Sequence, residues 1–141
     1  MSWLRKNCVV VPIDFSSESF AALSPALEFV ENASHIYVIH VLTRFPAAEP
    51  GIIWNPADDR TRKYHAEFAL REQLDELEYG GIHIEVTIGD PSSEILDFAE
   101  AKAAGLIVIS SRGQTGIQRF FLGSVVERVV RFSHCPVLVL R

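Results

Sequence analysis

The sequence predicts an α/β fold: a doubly wound, five-stranded parallel sheet in the order 3-2-1-4-5, with helices on both faces. Five short apolar runs rich in β-branched residues alternate with longer segments that carry apolar residues at helical spacing. Most of the runs show little polar alternation, which is typical of strands covered by helices on both faces. The 141 residues, 48% of them hydrophobic, suit one Rossmann-like domain over residues 1–141.

The five strands are expected where the apolar runs lie between turn residues, at 8–13, 35–42, 82–88, 105–110 and 136–140. Strand–helix–strand units connect parallel strands with a right-handed crossover, so the carboxyl ends of the strands should share one edge of the sheet. Ligands of such sheets bind beyond that edge, where the strand order reverses. If the first and fourth strands are the central neighbours of the sheet, the loops that follow them should face each other across one crevice.

The first helix is expected after Asp14, with Ser16 or Ser17 as its N-cap. Pro25 lies inside this helix and should kink it or mark an irregular turn, because proline lacks the N–H group that a helix interior requires. The third helix is expected after Asp90-Pro91, with Ser92 or Ser93 as its N-cap.

The second helix is expected over residues 58–79, and Gly80-Gly81 should end it. Its apolar residues recur at helical spacing and should form one buried stripe of Ala66, Ala69, Leu70, Leu74 and Leu77.

The segment over residues 105–124 joins the fourth strand to a glycine-bearing loop and then to a helix start at Gly123-Ser124. Gly113 lets the backbone approach a ligand, and free N–H groups at a helix start attract anions. Arg112 and Arg119 could reinforce that attraction. The alternative is that the glycines only form a tight turn before the helix.

Residues 43–57 contain Pro46, Pro50 and Pro56 and fit no regular element. Apolar residues at 52–54 could cover the crevice, or the segment could be a surface loop whose tip touches its own domain.

The charge balance is acidic, with 13 basic and 18 acidic residues and a formal charge of −5. This balance argues against a nucleic-acid partner, which would require a basic stripe. The first apolar run is too short for a signal peptide or a membrane span, so we expect a cytoplasmic protein without a membrane partner. Cys8 and Cys135 are expected to be buried free thiols in a reducing compartment.

The sequence contains no Walker P-loop, no nucleophile elbow and no zinc-hydrolase motif. The five histidines show no metal-ligand spacing, and we expect His40 and His83 to be hydrogen-bonded structural residues. We therefore expect no enzyme, no catalytic residue and no metal held by protein side chains alone.

The run VVVPIDFSSES near the start and the run VISSRGQTGIQRFFLGSVVERVVRFSHCPVLVLR at the end together resemble the universal stress protein family. The resemblance spans essentially the whole chain and includes the Gly-Asp-Pro turn at residues 89–91. It implies a regulatory protein of the stress response that binds ATP or AMP, with magnesium arriving on the phosphates. It also implies a homodimer.

The resemblance implies that Asp14 contacts the ribose and that the backbone of Val41 contacts the adenine, while residues 109–113 and 123–126 hold the phosphates. From its residues alone, Asp14 could equally cap the first helix. The nucleotide-binding residues implied in this way are Pro12, Ile13, Asp14, Val41, Ile109, Ser110, Arg112, Gly113, Gly123, Ser124, Val125 and Val126. Ser124 is expected to be an N-cap as well.

The chain departs from the family's phosphate-loop pattern at Ser110, where that pattern has glycine. A serine held at positive φ would be strained, and its Cβ could crowd a phosphate, so Ser110→Gly should tighten ATP binding. A serine in extended geometry could instead offer its hydroxyl to the ligand. The alternative function is a dimeric scaffold of the same family that binds no nucleotide.

The last strand is short and apolar, and in the order 3-2-1-4-5 it forms an edge that invites pairing. Two copies could pair there about a twofold axis. Together with the resemblance, this predicts a homodimer with Val137, Leu138, Val139 and Leu140 at its seam.

Overall fold

The sheet consists of five parallel strands in the order β3-β2-β1-β4-β5, which confirms the predicted fold class and strand order. The computed structural model describes residues 4–43, 56–111 and 124–141. In chain order its elements are β1 (Val9–Pro12), α1 (Ser17–Ala21), α2 (Leu23–Leu27), β2 (Ile36–Leu42), α3 (Pro56–Glu76), β3 (His83–Ile88), α4 (Pro91–Ala101), β4 (Leu106–Ser110), α5 (Ser124–Phe132) and β5 (Val137–Leu140).

β1 lies in the middle of the sheet, and Val9, Val10 and Val11 are fully buried. Successive side chains of a strand point to opposite faces, so β1 contributes to two cores. Val9 and Val11 pack with α1, α2 and α3 on one face. Val10 packs with α4 and α5 on the other. The predicted covering of both faces by helices is therefore confirmed.

The first predicted helix is broken at Ala22 into α1 and α2, as Pro25 led us to expect. Proline has no N–H to bond the carbonyl of Ala21, and its ring would clash with that carbonyl in a continuous helix. Ser16 is the N-cap of α1 and accepts a hydrogen bond from the backbone N–H of Ser19.

α3 ends earlier than predicted, and Gly80-Gly81 does not end it. Glu78 adopts the left-handed conformation at φ 62°, and the N–H of Tyr79 donates to the carbonyl of Leu74 at 2.9 Å. These features form a Schellman motif, which closes the helix before the glycines are reached. Ala66, Leu70 and Leu74 are buried, whereas Leu77 lies beyond the last turn and is 43% exposed.

The prediction that Ser92 or Ser93 caps α4 is wrong, because Asp90 is the N-cap. Its carboxylate accepts from the backbone N–H of Ser93 at 3.1 Å and from the hydroxyls of both serines. The fixed φ of proline suits the first position of a helix, so Pro91 occupies that position and the cap falls on the residue before it.

Candidate functional site

A crevice of about 270 Å³ opens beyond the carboxyl ends of β1, β2 and β4, beside the start of α5. β1 and β4 are neighbours in the sheet although two strands, β2 and β3, lie between them in the chain, so the strand order reverses here as predicted. The residues that line the crevice are Pro12, Ile13, Asp14, Ser19, Ile39, His40, Val41, Pro91, Ile95, Ile109, Ser110, Ser111, Ser124, Val125 and Val126.

Nine of the twelve predicted site residues line this crevice. They come from four separate stretches of the chain that the parallel sheet brings to one edge. The other three, Arg112, Gly113 and Gly123, lie outside the described residues, as do Arg119 and most of the segment over residues 43–57.

The chemistry of the lining changes from strand to strand across the crevice. Above β2 it is mainly aliphatic, with Ile39 and Val41 facing Ile95 of α4. Above β1 it carries the carboxylate of Asp14, and above β4 and α5 it carries the hydroxyl residues Ser110, Ser111 and Ser124. β2 and β4 lie two strand spacings apart, about 10 Å. An elongated ligand with one apolar end and one anionic end would fit this order.

Asp14 forms a tight turn between β1 and α1. Its Oδ1 accepts hydrogen bonds from the backbone N–H of Ser16 at 2.9 Å and from the Ser16 hydroxyl, and its own N–H donates to Ser19 Oγ at 3.2 Å. The cap of α1 is Ser16, so Asp14 supports the helix start without capping it. In the described part of the chain, Oδ2 of Asp14 takes no hydrogen bond, and this oxygen is available to a ligand.

Phe15 follows Asp14 in the left-handed conformation, at φ 69°. A bulky residue in this region costs about 1–3 kcal/mol and persists only where its surroundings hold it. The Phe15 ring makes edge contacts with His40, 4.7 Å between centroids, and with Phe20, 6.1 Å. Such aromatic pairs contribute about 0.5–1.5 kcal/mol each, which is enough to offset the strain.

His40 is hydrogen-bonded, as predicted, through Nδ1 to the carbonyl of Ile13 at 2.7 Å. Burial lowers the pKa of His40 below its ordinary value, although this hydrogen bond and the charge of Asp14 raise it in part. The ring is therefore neutral at pH 7, and the carbonyl partner requires the proton to be on Nδ1. His83 departs from the prediction, since it is exposed and its ring stacks on Tyr37 at 4.5 Å.

Ser110 is the last residue of β4 and pairs with Leu140 of β5. The described non-glycine residues with positive φ are Phe15, Glu78 and Ala103, so Ser110 is not strained. Of the two geometries considered for this serine, the extended one is correct. Ser124 is the first described residue of α5, and the residue before it lies outside the described part of the chain, so its expected role as N-cap stays a prediction.

Five residues of the lining were missed from the sequence: Ser19, Ile39, His40, Pro91 and Ile95. Ser111, which also lines the crevice, falls within the range 109–113 that was expected to hold the phosphates. His40 carried a signal, since it is a polar residue within an apolar run. Ile39 and Ile95 carried none, because their periodicity predicts burial in the core and gives no sign that α4 leaves a gap above β2.

Within the ranges 4–43, 56–111 and 124–141, no group of three or more His, Cys, Asp and Glu side chains could hold a metal ion. Cys8 and Cys135 are free thiols, half-buried rather than buried, and burial raises the pKa of Cys8. Among the described helices, none is long and apolar enough to cross a membrane.

Known proteins resemble this chain along most of its length. The universal stress protein MJ0531 of Methanocaldococcus jannaschii is 36% identical over 142 residues, covering 94% of this chain and 81% of that protein. The structure of UspA from Lactobacillus plantarum has a TM-score of 0.76 at 24% identity, covering 97% of this chain and 99% of that one. A universal stress protein in complex with cAMP has a TM-score of 0.63 at 26% identity, covering 97% and 98%.

The sequence profile of the universal stress protein family matches residues 7–141, from the residue before Cys8 to the end of the chain. This match includes every strand and helix described above. The chain therefore belongs to the universal stress protein family.

Proposed function

We propose that this chain binds an adenine nucleotide, ATP or AMP, in the crevice, and acts as a dimeric regulatory protein of the stress response. The observation that carries the proposal is the order of groups across the sheet: aliphatic at β2, carboxylate at β1 and hydroxyl at β4. A nucleotide presents a base, a sugar and its phosphates in the same order.

Each part of the nucleotide has a chemical partner in this proposal. The aliphatic side chains beside Val41 bury the faces of the adenine, while the backbone of Val41 meets its edge. Oδ2 of Asp14 accepts from the ribose hydroxyls, because a carboxylate can accept two hydrogen bonds at once. The start of α5 at Ser124 attracts the phosphates through its unpaired N–H groups and the helix dipole.

Arg112, Gly113 and Gly123 complete the phosphate site in this proposal, on the strength of the sequence pattern alone. Magnesium would arrive bound to the phosphates, which supply the oxygen ligands that it prefers. The similar structure in complex with cAMP supports an adenine nucleotide as the ligand class.

The proposed role is binding rather than catalysis, with at most slow hydrolysis of ATP. The described titratable side chains of the crevice, Asp14 and His40, both hold the turn after β1. We place the protein in the cytoplasm, where its two thiols would stay reduced.

The direct test is to denature the purified protein and identify any adenine nucleotide that it releases. A second test titrates ATP, AMP and GTP against the ligand-free protein and follows the unfolding temperature. A ligand at a hundred times its dissociation constant adds about 2.7 kcal/mol to the free energy of unfolding. Stabilisation by the adenine nucleotides and not by GTP is expected, and no stabilisation by any of the three would contradict the proposal.

Asp14→Asn is the sharpest variant, because asparagine retains Oδ1 for the turn and replaces only the oxygen offered to the ribose. We expect ATP affinity to fall about tenfold, the loss of one charge-assisted hydrogen bond. Asp97→Asn, at an exposed position of α4 outside the crevice lining, removes the same charge and should leave the affinity unchanged.

The second candidate function is a dimeric scaffold without nucleotide. The observation that favours it is the open edge at β5, whose four apolar side chains are half-buried. Dimerisation through Val137–Leu140 belongs to both candidates. Copurified nucleotide distinguishes them, since the scaffold would release none and show no response to ATP.

A further inference from the structure

The turn that carries Asp14 is bound to the neighbouring strand by one side chain and by one backbone hydrogen bond. His40 of β2 donates from Nδ1 to the carbonyl oxygen of Ile13 at 2.7 Å. The N–H of Ile13 in turn donates to the carbonyl of Ile39 at 2.8 Å. Both polar backbone groups of the residue before Asp14 are therefore bound to β2.

The residue after Asp14 is held by the same ring. Phe15 is in the left-handed conformation and places its ring edge-on to His40, with an interplanar angle of 76°. Phenylalanine does not adopt this conformation without support, so the contact with His40 helps to maintain the turn. His40 thus contacts the residues on both sides of Asp14.

The remaining bonds of Asp14 fix its carboxylate. Its N–H donates to Ser19 Oγ, and Oδ1 accepts from Ser16. With the backbone held on both sides and one oxygen engaged, the direction of Oδ2 follows from the turn. A hydrogen bond to a ligand gains most when its acceptor is placed before the ligand arrives.

We propose that His40 is a positioning residue that sets the Asp14 carboxylate for the ribose hydroxyls of the bound nucleotide. This role rests on the proposed function of the crevice and assigns to β2 the control of a ligand contact made by β1. Burial supports it by lowering the pKa of His40, which keeps a neutral ring with its proton on Nδ1 at pH 7.

The test compares two variants of the full chain against ATP and 2′,3′-dideoxy-ATP, which lacks the ribose hydroxyls. His40→Leu removes the N–H donor, whereas His40→Asn retains a donor at the same number of bonds from Cα. We expect His40→Leu to raise the dissociation constant for ATP about tenfold and to leave that for dideoxy-ATP within about twofold. His40→Asn should restore ATP binding to within about threefold of the original chain.

A purely structural role of His40 would weaken the binding of both nucleotides together, so equal losses of affinity for ATP and dideoxy-ATP would overturn the proposal. Unchanged ATP affinity in His40→Leu would overturn it as well. If the original chain binds neither nucleotide, the proposed function fails and the positioning role fails with it.

Hydrogen exchange on the ligand-free protein gives a readout that needs no nucleotide. The Asp14 and Ser16 amides should exchange about tenfold faster in His40→Leu. In His40→Asn, which keeps the donor but loses the ring contact with Phe15, the increase should stay within about threefold. Unchanged exchange in His40→Leu would overturn the claim that His40 holds the turn, even if nucleotide binding itself is established. The two failures are therefore distinguishable.

Discussion

Asp14 closes the turn after β1 with Oδ1, while its Oδ2 takes no hydrogen bond from the described residues. Of the two roles considered for it, the helix cap belongs to Ser16 instead, and the turn leaves the second oxygen of Asp14 for contact with a ligand. Ser110 likewise has two roles, because it ends β4 in extended geometry and also lines the crevice. A residue at a strand end can serve the sheet through its backbone and a ligand through its side chain.

Ser110→Gly tests whether the Cβ atom limits the crevice. Strain relief is no longer a reason for tighter binding, because Ser110 does not have positive φ. Crowding remains a reason, and we expect Ser110→Gly to tighten ATP binding about threefold while Ser110→Ala, which keeps Cβ, has no effect. Glycine in a strand should also lower the free energy of unfolding by about 0.5–1 kcal/mol. Calorimetric titration and urea unfolding measure the two effects.

If both variants instead weaken ATP binding by similar factors, the serine hydroxyl contacts the ligand and the crowding explanation is wrong.

The lowered pKa of His40 makes stability depend on pH in a defined direction. Because the pKa is lower in the folded state, the unfolded chain binds more protons between the folded-state pKa and about 6.5. The contribution of the neutral His40 ring to the free energy of unfolding is fully present above pH 6.5 and is lost as the pH falls through the folded-state pKa. Urea unfolding between pH 5 and 8 should show this loss in the original chain, and the difference from His40→Asn isolates it. Parallel pH profiles of the two proteins would exclude His40 as the source.

At the scale of elements, the helix ends are decided by backbone geometry as much as by residue type. At α4 two serines and one aspartate compete for the cap, and the proline between them selects the aspartate. At α3 the Schellman motif uses Glu78, although two glycines follow closely. The helices were predictable from apolar spacing, whereas their terminal residues depended on local hydrogen bonds.

Asp90→Ala should destabilise α4, because it removes the acceptor of three hydrogen bonds from Ser92 and Ser93. We expect the unfolding temperature to fall by about 4 °C, as for the loss of a helix N-cap in a domain of this size. Asp90→Asn retains a side-chain acceptor and should lose less. Thermal unfolding followed by circular dichroism gives the order of the three unfolding temperatures. An equal unfolding temperature for Asp90→Ala and the original chain would contradict the assignment of the cap.

At the scale of the whole molecule, the strand order leaves β5 at one edge of the sheet with apolar side chains. Val139→Lys places a charge on this edge and should convert the proposed dimer into a monomer, because a lysine there opposes pairing with a second copy. Light scattering measures the mass. Leu77→Lys makes the same change at an exposed position after α3 and should remain dimeric. If Val139→Lys still has the mass of a dimer, the two copies do not pair through β5.

The strands were predictable because burial on both faces produces runs of β-branched residues without polar alternation. Their order was predictable from the family resemblance and not from these runs. Nine of the predicted site residues line one crevice because, in a parallel sheet, the loops at the carboxyl ends of the strands share one edge. The sequence predicted a hydrogen-bonded, structural role for His40, but it did not predict that the carbonyl of Ile13 is the partner.

By itself, then, the sequence determined the alternation of strands and helices, the acidic charge and the edge of the sheet at which a ligand would bind. These properties depend on the spacing and type of neighbouring residues. Only the tertiary structure decided that Phe15 is left-handed, that Ser110 is extended and that His40 bonds the carbonyl of Ile13. Some of these features depend on contacts between residues far apart in the chain, and such contacts exist only once the sheet has formed. Others depend on a backbone conformation that the residue type alone would not favour.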